Sequence, residues 1–251
     1  MAGYRTLEIE TRESGTILWF NRPEIRNIIS TEVIQELTDF FTQPAGDNQF
    51  VIMAGQGECF AAGADLKEMV NVSEARALEI SRYLHRLLQH IGKYQAPVVA
   101  AVHGYAIGGG FELALAADMV FATDDAWFSL PEMDFSMIPG GGATQRLTQR
   151  VGRADAFYQI FTGQKLSAND ALLRGLVQKV YDQDQFIDRV VADITKVLGS
   201  IGKDAAVSLK RAIRLAGKED GYAAEAEEFA WLLTNKGRPI IKEFFNRKKK
   251  K

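Results

Sequence analysis

At 251 residues, with 47% hydrophobic and 25% charged side chains, the chain is long enough for a sizeable core and has the composition of a soluble globular protein. A formal net charge of −2 excludes a global basic field that would recruit nucleic acid, and a single cysteine, Cys59, excludes an internal disulfide framework and fits a reducing, cytoplasmic setting. No apolar stretch reaches the roughly 18 residues that would read as membrane-spanning, and the start MAGYRTLEIE has neither the apolar core of a signal peptide nor the Arg/Ser character of a transit peptide.

Taken in chain order, TLEIETRE and TILWFN predict two strands turning at Gly15. TEVIQELTDFF predicts a helix capped by Ser30 or Thr31, with Val33, Leu37, Phe40 and Phe41 at helical spacing. FVIMAG (50–55) reads as a buried strand ending at glycine, followed by the loop GQGECFAAGADLKEM and a helix around Glu74 to Ile91. PVVAAV (97–102) is the next buried strand; a glycine run then leads into a helix carrying Glu112. DMVFAT (118–123) is another strand, which Trp127–Phe128 extends or neighbours. Past the loop Pro139 to Gly142 helices dominate, and LVQKVY (176–181) is a short late strand. Phe186, Val190, Val191, Ile194, Val197, Leu198 and Ile201 mark one amphipathic face, and GSIGK (199–203) is a hinge candidate. The closing RKKKK reads as a solvated tail. Strands separated by helices and then a helix-only end imply a layered α/β core with a helical C-terminal appendage.

Glu112 stands out. Residues 108–117 contain no other polar side chain, whereas a surface helix carries several on its wet face. An enclosed, unpaired carboxylate costs several kcal/mol (about 3–5), so enclosure makes a functional role plausible. The glycine run before it presents backbone N–H groups at a helix start, where they suit a developing negative charge. A dinucleotide site does not fit: counted from Gly108, the third position of G-x-G-x-x-G is Leu113. G-x-x-x-x-G-K-[ST], G-x-S-x-G and H-E-x-x-H are also absent, and His85 and His90 are five apart, off one helical face. His103 beside the glycines reads as a hydrogen-bonded structural residue, and Cys59 as a small buried hydrophobe. FAAGADLKEM (60–69) puts small residues around a turn ahead of Asp65 and Lys67, which suits amides beside a ligand and equally a simple tight turn. Glu132, after Pro131, reads alone as a helix-start or loop carboxylate; facing Glu112 it would make a pair that resists double ionisation and so offers one proton donor and one acceptor.

Together NRPEIRN (21–27), FAAGADLKEM (60–69), PVVAAVHGYAIGGGFELALAAD (97–118), FSLPEM (128–133), IPGGGATQRL (138–147) and the late GLV (175–177) resemble the enoyl-CoA hydratase/isomerase (crotonase) family, in family order and nearly end to end. The resemblance implies an α/β spiral of repeated ββα turns over 1–198, holding an acyl-CoA site, and a C-terminal helical trimerisation region over 199–251. It also implies assembly as a homotrimer or dimer of trimers. Carried over position by position, it implies an oxyanion hole from the N–H groups of Ala64 and Gly109 and catalytic carboxylates at Glu112 and Glu132. Coenzyme A would lie along Glu24, Ile25 and Arg26 and along Ala62, Ala64, Asp65, Leu66 and Lys67, with Phe244 and Arg247 reaching it from a neighbouring subunit. The implied reaction is addition of water to a trans-2-enoyl-CoA, with no metal and no cofactor beyond the substrate's own coenzyme A. Migration of a Δ3 double bond to Δ2, or another acyl-CoA lyase reaction, is the alternative, and an RNA-binding homologue is a more distant one.

The chain departs from the family pattern at His103, where asparagine is usual before GYA, and at GGGATQRL in place of GAGGTQRL. Ser136 stands where a glycine is common, and TNKGRPIIKEFF lacks the usual acidic pattern near Phe244 and Arg247. Met69, Val70, Phe111, Met133, Phe135 and Met137 are bulky candidates for an acyl pocket and equally for core.

Overall fold

A computed structural model describes residues 3–12 and 14–248, the side chains of Arg247 and Lys248 excepted. The chain divides into two compact units, Met1–Thr195 and Lys196–Lys251.

In the first unit, β1 (Leu7–Arg12) and β2 (Gly15–Phe20) form the expected hairpin, pairing Leu7 with Phe20 and Arg12 with Gly15. From β2 onward the large sheet is parallel: β3 (Val51–Gly55), β4 (Val98–Val102), β6 (Met119–Thr123) and β9 (Lys179–Tyr181) follow in the order β1-β2-β3-β4-β6-β9. VIMAG and VVAAV are buried at every residue, which is why they read as continuous apolar runs rather than alternating ones. A second, small sheet pairs β5 (Tyr105–Ile107), β7 (Trp127–Ser129) and β8 (Leu166–Ser167), and a bridge from Ala61 to Ala106 extends it.

Three passes of the chain therefore repeat one course: a strand in the large sheet, a strand or bridge in the small one, then helix. The first runs from β3 through Ala61 to α2 (Leu66–Met69) and α3 (Glu74–Lys93), after the earlier helix α1 (Thr31–Thr42). The second runs through β4 and β5 to α4 (Gly109–Ala116), and the third through β6 and β7 to α5 (Ala143–Val151) and α6 (Arg153–Thr162). α7 (Ala168–Leu173) and β9 complete the unit, and α8 (Phe186–Ile201) crosses its boundary. Ser30 is the cap of α1, its hydroxyl oxygen accepting from the Val33 amide at 3.3 Å. Phe40 and Phe41 of α1 and Leu87, Leu88 and Ile91 of α3 pack into the common core.

Helix α4 is buried at every one of its residues. Its C-terminal carbonyls are met by Arg150 of α5, whose Nη2 donates to Leu115 O at 3.1 Å and Ala117 O at 2.8 Å. A cation at a helix C-terminus also opposes the partial negative charge there.

The second unit contains α9 (Lys203–Arg214), α10 (Gly221–Leu232), a π-helical turn (Leu233–Gly237) and α11 (Arg238–Lys248). Ion pairs join Arg211 to Glu228 at 3.5 Å and Lys236 to Asp204 at 2.6 Å. The GSIGK hinge is narrower than expected: α8 runs through Gly199 and the chain turns at Gly202, whose φ of 79° only glycine adopts freely. Of the expected α8 face, Phe186, Val190, Ile194 and Leu198 are buried while Val197 and Ile201 are about half exposed, so the apolar stripe is wider than the chain itself covers. β8 was not expected, because two residues carry no alternation to read.

Arg150→Met removes the donor for two α4 carbonyls and is expected to destabilise the fold by about 2–3 kcal/mol, read as a lower urea midpoint with an unchanged denaturant slope.

Candidate active site

Asn27 ties the NRPEIRN segment to the loop that follows β3. Its Nδ2 donates to Gln56 O at 2.8 Å and Cys59 O at 3.0 Å, while its Oδ1 accepts from the Arg22 amide at 3.0 Å. Backbone bonds continue the register: Ala62 N to Arg26 O at 3.0 Å, Ile29 N to Gly63 O at 2.7 Å and Asp65 N to Ile29 O at 3.1 Å. Glu24 and Ile25 lie on a 3-10 turn, and Arg26 follows in the left-handed region with φ 58°, paired to Glu58 at 3.1 Å. Asp65 caps α2 by accepting from the Lys67 amide at 3.0 Å, leaving Leu66 and Lys67 exposed. Glu24–Arg26 and Ala62–Lys67 are thus brought together on adjoining loops.

The other side of this loop meets the start of α4. A Cβ placed on Gly109 would lie 3.7 Å from the Ala64 nitrogen, so the two amides are neighbours. Among the described residues neither amide donates to another group of the chain. Gly108, ahead of them, has φ 49° and ψ −121°, and a Cβ there would lie 2.9 Å from Glu132 Oε1. Glycine is required at 108 on both counts.

Glu112, one turn into α4, is 3% exposed. Its Oε1 accepts two backbone N–H groups, Gly141 at 2.8 Å and Ala143 at 3.0 Å, from the glycine loop before α5. A Cβ on Gly141 would sit 2.6 Å from Glu112 Oε2 and equally close to Leu84, so the loop packs directly onto the carboxylate. Both of these bonds fall on Oε1, and the Gly142 amide also faces the carboxylate. Burial raises the Glu112 pKa, and the Ala143 and Gly141 amides and the Arg146 guanidinium oppose that rise. Arg146 itself is half-buried; burial lowers its pKa and Glu112 raises it.

Glu132, on the 3-10 turn Pro131–Phe135 after β7, comes from a different pass of the chain. Its carboxyl is pushed up to about 7, chiefly by burial, with the Glu112 charge adding to it. Its Oε2 is buried without a hydrogen-bond partner, a state that suits a neutral carboxyl far better than an ionised one. Two acids with raised pKa values therefore lie at the start of α4, where the Gly109 amide meets the Ala64 amide of the loop after β3.

Other expectations sort clearly. Phe111 is core, packed on Phe128 at 5.0 Å between ring centres. Val70, Met133, Phe135 and Met137 are exposed. His103 Nε2 lies 2.9 Å from Gly57 O, the structural bond expected of it, and Cys59 is buried. Ser136 has φ 56°, the left-handed conformation for which a glycine is the usual choice, so the chain keeps the turn while giving up its preferred residue. Phe244 lies on α11 in the second unit, half exposed and edge-on to Phe245; the side chain of Arg247 lies outside the described residues, as do Lys249 to Lys251 of the tail. Sequence reasoning did not find Arg146 or the two amides that hold Glu112: IPGGGATQRL is visible as a motif, but backbone donors leave no side-chain signal. Among the described residues no helix is long and apolar enough to cross a membrane, and no cluster of three or more His, Cys, Asp or Glu could hold a metal.

The model of the enoyl-CoA hydratase/isomerase family matches residues 10–234. The chain is 34% identical to a probable enoyl-CoA hydratase of Mycobacterium tuberculosis, over 85% of this chain and 82% of that one. It is 31% identical to the 2,3-dehydroadipyl-CoA hydratase of Escherichia coli, over 92% of each. The crystal structure of an enoyl-CoA hydratase from Bacillus anthracis superposes with a TM-score of 0.89 at 29% identity, covering 97% of each chain. With the repeated strand–strand–helix course and the two acids at the head of α4, these likenesses mean that the chain belongs to the enoyl-CoA hydratase/isomerase family and has the crotonase fold.

Proposed function

We propose that the protein adds water across the double bond of a trans-2-enoyl-CoA to give a 3-hydroxyacyl-CoA. One observation carries the reading: two neighbouring backbone amides, without an acceptor among the described residues, lie beside one carboxylate anchored by a single oxygen and a second carboxyl with a pKa near 7.

The thioester oxygen accepts from the Ala64 and Gly109 N–H groups, which stabilise the enolate that forms when water attacks. Losing one such preorganised donor typically costs about 2.7–4 kcal/mol. Glu112, ionised and held by Gly141 and Ala143, takes a proton from water through Oε2 as the oxygen bonds to the β carbon. Glu132, neutral below its pKa, delivers a proton to the α carbon. The elements of water are then balanced across the former alkene, and no further group is required. Retention of both carboxylates favours hydration over double-bond migration, which needs one.

The pantetheine and nucleotide portions of coenzyme A would run along Glu24–Arg26 and Ala62–Lys67, the loops that Asn27 binds together. The second unit exposes Leu209, Ile213, Phe229, Trp231 and Phe244, an apolar surface suited to packing against further copies. On this reading it is the oligomerisation region, the assembly is a trimer or dimer of trimers, and Phe244 and Arg247 reach a neighbour's coenzyme A. The cytoplasm, where Cys59 stays reduced, is the expected setting.

Incubation with a panel of enoyl-CoA thioesters, followed by loss of enoyl absorbance, tests the proposal; 3-hexenoyl-CoA converted to 2-hexenoyl-CoA without water addition would overturn it. Glu112→Gln and Glu132→Gln are each expected to lower crotonyl-CoA hydration by about a hundredfold or more, and near-normal turnover in either rules out the paired roles. Because Glu132 must be protonated, kcat/KM is expected to fall as pH rises through about 7. Stability follows the same ionisation. The folded carboxyl binds its proton up to about 7 while the unfolded one releases it near 4.5, so wild-type stability declines across that window. Glu132→Gln removes the decline, and its stability relative to wild type should rise by about 1–2 kcal/mol between pH 5 and 8.5, a figure discounted for partial solvent exposure.

A further inference from the structure

Both peptide units that donate to Glu112 are themselves hydrogen-bonded from behind. The N–H of Ala143 belongs to the peptide whose carbonyl, Gly142 O, accepts from Gln145 N at 3.0 Å and Arg146 N at 2.9 Å, the start of α5. The N–H of Gly141 belongs to the peptide whose carbonyl is Gly140 O. That carbonyl accepts a hydroxyl from a helix 59 residues earlier: Ser81 Oγ of α3, at 2.7 Å. A continuous chain thus runs from the Ser81 hydroxyl through the Gly140–Gly141 peptide to Glu112 Oε1.

We propose that Ser81 is a positioning residue for Glu112, acting through the Gly140–Gly141 peptide to aim and polarise the N–H that holds the carboxylate. The role rests on the hydration reading above for its catalytic consequence, but not for its effect on Glu112 itself. Two physical reasons support it. A run of three glycines loses more conformational freedom than any other tripeptide on becoming ordered, so its peptide planes need external pins. Leu84 and His85 abut Gly141 and Gly142 without supplying a hydrogen bond, and Arg146 Nη1 reaches Gly141 O only at 3.5 Å. Ser81 therefore provides the strong bond on the Gly140 side. Second, hydrogen bonds in series reinforce one another, by roughly 10–30% per bond. A hydroxyl on the carbonyl makes the same peptide's N–H a better donor and so favours the ionised form of Glu112.

The charged and titratable groups around Glu112 are Arg146 from α5, Glu132 from the turn after β7 and His85 from α3. Two measurements separate Ser81 from these. In the Glu132→Gln background, the Glu112 carboxyl is titrated by carbon-13 NMR, and Ser81→Ala is expected to raise its midpoint by about 0.5–1 pH unit while Ser81→Thr, which keeps the hydroxyl, leaves it in place. With Glu132 intact, Ser81→Ala is expected to lower kcat for crotonyl-CoA about three- to tenfold with KM little changed, and to move the acidic limb of kcat/KM upward; Ser81→Thr restores both. Alanine is the strongest helix former, so the variant fold, checked by circular dichroism, should be kept. An unmoved midpoint in Ser81→Ala overturns the proposal, as does an equal shift in Ser81→Thr. A wild-type protein inactive on every enoyl-CoA would instead overturn the hydratase reading while the titration still decides the role of Ser81.

Discussion

The site depends on a buried carboxylate held by main-chain donors. A charge taken into a protein interior is tolerated only when its hydrogen-bonding capacity is met, and Glu112 meets half of its own with the amides of Gly141 and Ala143. The other oxygen is left for chemistry. That division explains the surroundings: α4 is apolar because it threads the core, the loop before α5 is glycine-rich because it must lie flat on a carboxylate, and Gly141 can carry no side chain because Glu112 occupies the space.

The second acid has fewer donors around it. Burial favours the neutral form of both carboxyls; at Glu112 the loop amides and Arg146 oppose that push, whereas Glu132 has an orphaned buried oxygen and sits against the bare Cα of Gly108. The same side chain thus meets the burial penalty with a different set of donors at each position. The ββα coil makes this possible, since successive turns deliver Ala64, Gly109 and Glu132 to one place from three separate passes of the chain.

Much of this was legible in the sequence because it rests on side-chain type. The lone glutamate in GGGFELALAA signalled enclosure, the continuous apolar runs signalled buried strands, and the joint motifs carried the family. What stayed hidden depends on backbone partners. Arg150 capping α4, Ser81 reaching Gly140 and the amides of Gly141 and Ala143 involve carbonyls and N–H groups that every residue has, so no pattern of side chains announces them. Phe111 could not be assigned between pocket and core because α4 is apolar on all sides and its periodicity is silent. The left-handed turn at Ser136 shows that a usual glycine can be lost without losing the conformation it favours.

The complete burial of α4 has a consequence for how the molecule breathes. A helix walled in on every face, with its last carbonyls clasped by Arg150, has no route to open by fraying; its amides from Leu113 to Ala116 can exchange hydrogen with solvent only when the surrounding sheet comes apart. The helix that carries Glu112 therefore opens only with the core around it, so a form that has lost α4 and still turns over substrate is not available to this chain.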